Sequence, residues 1–203
     1  MHRIAATPGG WTPETEGVVF IEQTPAPIIF LTAADTDIQM LAIAASQLPS
    51  DFPQVRVANL LNLQQELSID TYADTVLSQA QVIILRLLGG RAYWSYGLEV
   101  VKEVAEEKGI FLFVMPGDDR ADPTLISHST VSLSAVNKLW QYFIEGGVEN
   151  CRHGLQFIAD IGCGKNYQPP TAKIVPRVGV YSSVPKNETS QGKIGILFYR
   201  AHY

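Results

Sequence analysis

The sequence predicts an α/β protein: an open, mostly parallel sheet flanked by helices, with an αα-hairpin toward its carboxyl end. Three observations carry this expectation. Short apolar runs alternate with amphipathic segments along most of the chain, the pattern of parallel strands joined by crossover helices. One run, Val82-Ile83-Ile84-Leu85, is apolar at every position, as a central parallel strand covered on both faces must be. Further on, two helical periodicities are separated only by Gly146-Gly147, and so short a connection makes antiparallel neighbours.

The elements follow in order. A first strand, Ile28 to Leu31, enters Thr32-Ala33-Ala34-Asp35-Thr36-Asp37, where Asp35 or Thr36 can cap a helix. The apolar face of that helix would be Ile38, Leu41, Ala42, Ala45 and Leu48, and Pro49 ends it. The second strand, Gln54 to Asn59, precedes a helix opened by Ser68, with Ile69, Tyr72, Val76, Leu77 and Ala80 as its buried stripe. The third strand feeds Arg86-Leu87-Leu88-Gly89-Gly90-Arg91. A helix from about Trp94 to Lys108 packs through Leu98, Val101, Val104 and Ala105 and stops at Gly109 in the C′ position. The strand Ile110 to Met115 comes next and is broken by Pro116-Gly117-Asp118-Asp119-Arg120. The hairpin then buries Leu133, Val136, Leu139, Trp140, Phe143 and Ile144 against Val148, Cys151, Leu155, Ile158 and Ile161. Four βα units of this kind make a sheet of the Rossmann or flavodoxin type.

Residues 1–166 thus read as one α/β domain carrying the helical hairpin, and residues 167–192, rich in Pro, Ser, Lys and Asn, as a linker. Lys193-Ile194-Gly195-Ile196-Leu197-Phe198-Tyr199 resembles the first strand of another α/β unit, so residues 193–203 are expected to open a following, truncated domain and the chain to be a fragment. Ile4-Ala5-Ala6 and residues 17–21 could add an edge strand or hairpin, although Pro8, Pro13 and Pro25 weigh against regular pairing. No internal repeat is present.

Composition sets the outer bounds. With 203 residues, 46% of them hydrophobic, the chain can bury one core. It lacks the roughly 18 to 20 consecutive apolar residues needed to cross a bilayer, and Met1-His2-Arg3-Ile4 lacks the apolar run of a signal peptide. A cytoplasmic protein without a membrane anchor is expected. The net charge of -5, with both signs interspersed, offers no electrostatic footprint for nucleic acid. Cys151 and Cys163 fall on one helix about 18 Å apart in rise, beyond disulfide reach, and read as buried free thiols. His2, His128, His153 and His202 show no ligand spacing, so no metal site is expected. A Gly-x-Ser-x-Gly elbow is missing and neither cysteine has an activating partner in sequence, which leaves the catalytic residues unknown.

In an open parallel sheet, ligands bind outside the carboxyl ends of the strands, where helix N-termini present free N–H groups. The loops there are 32–37, 60–66, 87–96 and 116–122. The stretch from Leu88 to Gly97 offers flexible backbone, a cation and three aromatics, a composition suited to a flat conjugated ligand with carboxylate-bearing arms. Position and composition nominate Gly89, Gly90, Arg91, Tyr93, Asp118, Asp119 and Arg120 for substrate binding. The plainer alternative makes Gly89-Gly90 a tight turn, packs Tyr93 and Trp94 against the sheet, and leaves Arg91 solvated or paired with Asp118 or Asp119. Asp118, Asp119 and Asp122 could hold a hard cation, or Asp122 could simply cap the segment after Pro123. His128, in Ser127-His128-Ser129-Thr130, is the histidine placed to reach the carboxyl edge, with capping or exposure as the simpler account.

Ile84 to Gly97, reading Ile-Leu-Arg-Leu-Leu-Gly-Gly-Arg-Ala-Tyr-Trp-Ser-Tyr-Gly, resembles a segment of the CobN family of cobaltochelatase large subunits, which is related to the H subunit of magnesium chelatase. The likeness extends to residues 5–11, 31–36, 56–60, 116–120, 139–143 and 195–200, nearly the whole chain. The resemblance implies an N-terminal portion of a much longer subunit that binds a metal-free ring. A separate AAA+ pair of the CobS/CobT kind would supply ATP hydrolysis with Mg2+, and the assembled ligase would insert Co2+ into the corrinoid hydrogenobyrinic acid a,c-diamide during cobalamin synthesis. On this reading the fragment has no cofactor of its own and is not active alone, and no catalytic residue can be carried over. The alternative is a non-catalytic scaffold or subunit-docking domain. An FMN or nucleotide module lacks support, because no loop reads as Gly-x-Gly-x-x-Gly or a Walker A sequence. A phospho-receiver would need an acidic acceptor after the third strand, where Leu87-Leu88-Gly89-Gly90 stands.

Overall fold

The computed structural model describes residues 18–176. Four strands, β1 (Ile28–Thr32), β2 (Val55–Asn59), β3 (Val82–Leu87) and β4 (Phe111–Pro116), form an all-parallel sheet in the order β2-β1-β3-β4. Between and after them run α1 (Asp35–Ser46), α2 (Glu66–Thr75), α3 (Ser95–Lys108), the single turn α4 (Pro123–Ile126), and the hairpin α5 (Leu133–Glu145) and α6 (Gly147–Gly162). This is the open α/β architecture that the alternating pattern predicts.

Side chains of a strand alternate between faces, and both faces of this sheet are covered. Ile29, Leu31, Ile83, Leu85, Leu112 and Val114 meet α2 and α3, while Ile28, Phe30, Val82, Ile84, Phe113 and Met115 meet α1, α5 and α6. The central pair β1 and β3 is buried at every position, which explains why neither strand alternates polar and apolar residues. At the β4 edge, Thr130 and Ser129 turn their hydroxyls onto the backbone N–H groups of Leu112 and Val114 at 2.8 and 2.9 Å, occupying donors that would otherwise template another strand.

Helix ends show where local reading gives way to packing. Gly109, with φ +67°, closes α3 in the left-handed conformation, as expected of a C′ glycine, and Asp122 caps α4 through Leu125 N–H at 2.9 Å. Two expected caps are corrected. The N-cap of α1 is Ala34, with no side-chain cap, because Thr32 bonds the Ala34 N–H and Asp37 is drawn inward. Helix α2 starts at Glu66, two residues before Ser68, whose buried hydroxyl instead accepts the Val19 N–H at 3.1 Å. Its expected stripe is buried, but Leu77 lies in a 3₁₀ turn beyond the helix and Ala80 caps that turn.

Helix α1 is also rotated from its expected face. Asp37, Leu41 and Ala44 are buried while Ala42 is exposed, so the stripe runs i, i+4, i+7 from an aspartate.

After α6 the chain turns back over the hairpin. Asp160 accepts the N–H groups of Tyr167 and Gln168, and buried Asn150 brackets Lys173, donating to its carbonyl at 2.9 Å and accepting its N–H at 2.8 Å. Cys151 is fully buried and burial pushes its thiol well above the usual range. Cys163, expected to be buried, is only half-buried because it sits at the C-cap of α6. Residues 18–21 form no strand, and the other candidate strand segments, 4–6 and 193–199, lie outside the described residues.

Two outcomes test this packing. A Cβ on Gly162 would stand 2.0 Å from Val82 Cγ2, and one on Gly97 2.1 Å from the Trp94 ring. Either change to alanine therefore lowers the urea midpoint, at a cost of about 1 to 3 kcal/mol for overpacking. In iodoacetamide labelling followed by mass spectrometry, native Cys151 stays unmodified and reacts only after unfolding, since burial holds it in the unreactive protonated form.

Candidate functional site

Leaving β1, the chain crosses to β2 on one side of it and then returns to β3 on the other. The connections leaving β1 for β2 and β3 for β4 thus diverge from the neighbouring carboxyl ends of β1 and β3, which makes that point the natural crevice of the sheet. A cleft of about 620 Å³ lies there, bounded by the start of α1, the loop after β4 and the turn between α5 and α6. Gly146 and Gly147, both at positive φ, let that turn reverse in a single step.

Thr32 and Arg86 are register partners at the carboxyl ends of β1 and β3, and both project to the α1 face. Arg86 is 7% exposed, and its Nη1 donates to Asp37 Oδ2. The same oxygen accepts the Thr32 hydroxyl at 2.8 Å. The Phe143 ring lies 5.7 Å from the guanidinium carbon, within cation–π range. Arg86 Nε is buried without a hydrogen-bond partner, and no protein acceptor is found for Nη2 among the described residues.

The structure brings the two nominated corners onto one rim. Gly117 N–H donates to Leu87 O at 2.7 Å, and a Cβ on Gly90 would lie 3.3 Å from an Asp122 oxygen. Within that rim the nominated residues separate. Asp118 and Asp119 line the cleft. Gly89 and Gly90, at φ +91° and +73°, form the tight turn of the plainer alternative, outside the cleft. Arg91, in the turn before α3, pairs with Glu99 of that helix at 3.0 Å, which takes the place of Asp118 or Asp119. Tyr93 stands 43% exposed instead of packing on the sheet. Arg120 is almost fully exposed, with its Nε 3.8 Å from Asp118. Of the loop's aromatics, Trp94 is a structural plug, buried and donating its indole N–H to Leu63 O at 3.0 Å. Tyr96 bonds Asp70, which with burial raises the phenol pKa above its usual value.

The carboxylates do not gather into a cation site. Asp118 bonds the Arg120 N–H, Asp122 caps α4, and no group of three or more His, Cys, Asp or Glu is placed to hold a metal among the described residues. Nor is the rim a phosphate cradle, because the first turn of α1 carries Asp35 and Asp37, which oppose an anion at that helix end. His128 is partly buried beside the β4 edge and does not line the cleft.

Sequence reasoning missed Arg86, Asp37, Phe143 and Glu145. One signal was available for the first pair: an arginine inside an apolar strand needs a buried acid, and an acid at the third position of the next-door helix could supply it. Phe143 and Glu145 reach the cleft only because the hairpin folds back across the sheet, which no local pattern encodes.

An open, all-parallel sheet with a cleft at its switch point defines a module of the doubly wound α/β class. No family model matches the chain. It is, however, 35% identical over 212 residues to the aerobic cobaltochelatase subunit CobN of Pseudomonas aeruginosa and 33% identical over 218 residues to that of a Sinorhizobium species, alignments covering 100% and 99% of this chain. A solved structure, the catalytic subunit of cobaltochelatase from Mycobacterium tuberculosis, shares the fold over 77% of the chain with a TM-score of 0.60 and 24% identity. This chain belongs to the CobN family of cobaltochelatase subunits. It spans 17% of the length of those two relatives and 12% of the solved chain.

The buried pair gives a sharp expectation. Asp37→Ala leaves a buried guanidinium uncompensated and costs about 3 to 5 kcal/mol, read from chemical unfolding. Arg86→Met combined with Asp37→Leu recovers most of that loss, because it removes both charges together.

Proposed function

We propose that this chain is the N-terminal module of the large subunit of a cytoplasmic, ATP-dependent cobaltochelatase. In this reading it helps the assembled subunit hold hydrogenobyrinic acid a,c-diamide while Co2+ is inserted for cobalamin synthesis. AAA+ subunits of the CobS/CobT kind would perform the ATP hydrolysis, with its Mg2+. Inserting a metal into a ring requires stripping water from the ion, deprotonating ring nitrogens and bending the macrocycle, all inside an enclosure. An open cleft on one sheet edge supplies none of these steps alone, so the module's contribution is positional.

The observation that carries the reading is the switch-point cleft, in a chain whose relatives are cobaltochelatase subunits along its entire length. Beside it, Arg91 and Arg120 are exposed cations whose surface pairs with Glu99 and Asp118 would have to open to meet carboxylate arms of a ring resting over Gly89, Gly90 and Tyr93. One observation favours a second reading, a scaffold or docking role. The ionisable lining of the cleft itself is Asp37, Asp118, Asp119 and Glu145 against Arg86 alone, an acidic balance that repels carboxylates and attracts a basic partner surface.

Titration with a metal-free corrinoid, followed through its visible spectrum, separates the two. Ring contact predicts a saturable spectral change, weakened in Arg91→Ala and Arg120→Ala by roughly 1.5 to 3 kcal/mol for each charged hydrogen bond lost. An unchanged spectrum at high micromolar corrinoid assigns the module to docking.

A further inference from the structure

We propose that the outer face of α2 and the start of α3 is a docking surface for a basic amphipathic segment of a partner polypeptide. The apolar side of that segment would seat on Phe20, Leu67 and Tyr96, and its cations would meet the acids around them. The inference goes beyond the corrinoid reading and does not rest on it, because α2 and α3 cover the face of the sheet away from α1, α5 and α6, which build the cleft.

Apolar residues scattered singly over a surface need no explanation, whereas a gathered group rimmed by charge marks a contact. Here hydrogen bonds do the gathering. The Val19 N–H on Ser68 Oγ sets Val18 and Phe20 at one flank of the first turns of α2. The Tyr96 hydroxyl on Asp70, 3.0 Å from each carboxylate oxygen, sets the phenol ring at the other flank. Ser68, Ile69, Tyr72 and Ala73 face the core, so Leu67 stands between the flanks on the outward side of the helix. Leu61 precedes it in the 3₁₀ turn Leu60–Leu63, which the Trp94 indole holds against the start of α3 through Leu63 O. Phe20 and Leu67 are 56% and 55% exposed, so neither serves the core, which Leu60, Leu63, Ile69 and Trp94 already fill beneath them.

Charge decides what covers this group. Helix α2 carries Glu66, Asp70 and Asp74 and no cation. On α3, Glu99 and Glu103 follow Tyr96 at i+3 and i+7 and share its side of the helix. The cations nearby have acids of their own: Arg91 has Glu99, Lys102 has Glu106 and Lys108 has Glu107. Among the described residues, none pairs with Glu66, Asp70, Asp74 or Glu103. The crowding of negative charge is felt at Tyr96, whose phenol is held above its usual pKa by the Asp70 hydrogen bond, by burial and by the charges of Asp70, Glu66 and Glu103.

An anionic lipid surface, a nucleic acid or the same face of a second copy would each bring more negative charge to these acids. A small cation would satisfy the acids and leave the apolar side chains in water. A polypeptide with leucine-like anchors on one side and lysine or arginine beside them answers both demands, in the manner of amphipathic helices that lay an apolar face on a partner.

The test titrates the chain, labelled with nitrogen-15, with an amphipathic leucine–lysine helical peptide, with its leucine–glutamate counterpart and with polylysine. The leucine–lysine peptide is expected to shift the backbone resonances of Phe20, Leu61, Leu67 and Tyr96 saturably, and less strongly as salt is added. It should bind about tenfold or more tightly than polylysine, the margin that apolar anchors confer. Phe20→Ser/Leu67→Ser changes two exposed side chains, leaves the urea midpoint in place and should erase most of that margin. Equal affinity for polylysine or for the leucine–glutamate peptide, shifts confined to the cleft, or unchanged binding in the double variant each overturns the proposal. So does evidence for another occupant: a dimer in sedimentation that the double variant abolishes, capture by phosphatidylglycerol vesicles, or tighter peptide binding once residues 1–17 are removed.

Discussion

The buried contact between Arg86 and Asp37 holds together the region on which everything functional depends. It ties the carboxyl end of β3 to the first turn of α1, and Thr32 brings β1 into the same cluster. A buried ion pair is weak evidence of net stability, since apolar residues of the same volume often do as well or better. Its effect here is geometric: the pair fixes how far α1 stands from the sheet at the switch point, and so how wide the crevice opens. It also explains why α1 turns an aspartate inward when its sequence offers isoleucine and alanine for the purpose.

Around that contact the fold divides its labour. One face of the sheet is an ordinary apolar layer under α2 and α3. The other, under α1, α5 and α6, also builds the cleft, because the hairpin crosses the strands and delivers Phe143, Glu145 and the Gly146-Gly147 turn to the rim. The returning segment after α6 is fastened to the same turn. Asn150 donates to Gly146 O as well as bracketing Lys173, and Glu145 accepts the Val175 N–H at 3.0 Å. The cleft wall and the segment that returns after α6 thus share anchors.

The charge distribution distinguishes two zones on one edge. Outside the cleft, Arg91 and Arg120 reach solvent, one paired with Glu99 and the other loosely with Asp118. Such exposed pairs contribute little to stability and exchange partners readily. Inside, the acids outnumber the single arginine, whose partner is already committed. A ligand spanning both zones would meet cations at its charged periphery and a mixed donor and acceptor surface within.

Period and turn chemistry, which are local, were legible in the sequence. The apolar run at Val82 predicted the central strand, Gly109 the end of α3, Asp122 the cap of α4, and Gly146-Gly147 the hairpin. The rim shared by the β3 and β4 loops followed from parallel pairing alone. The whole-chain resemblance to CobN subunits was likewise readable from strings of residues. What the sequence could not determine was which nominated side chains the rim would use. Arg91 found an acid in the first turns of the helix that follows it, Trp94 went into the core, and Asp37 displaced Ile38 from the buried face of α1 because Arg86 needed a counter-charge. Those outcomes are set by long-range contacts between β1, β3, α1 and the returning hairpin, and a buried charge selects its partner by proximity in space, where adjacency along the chain counts for nothing.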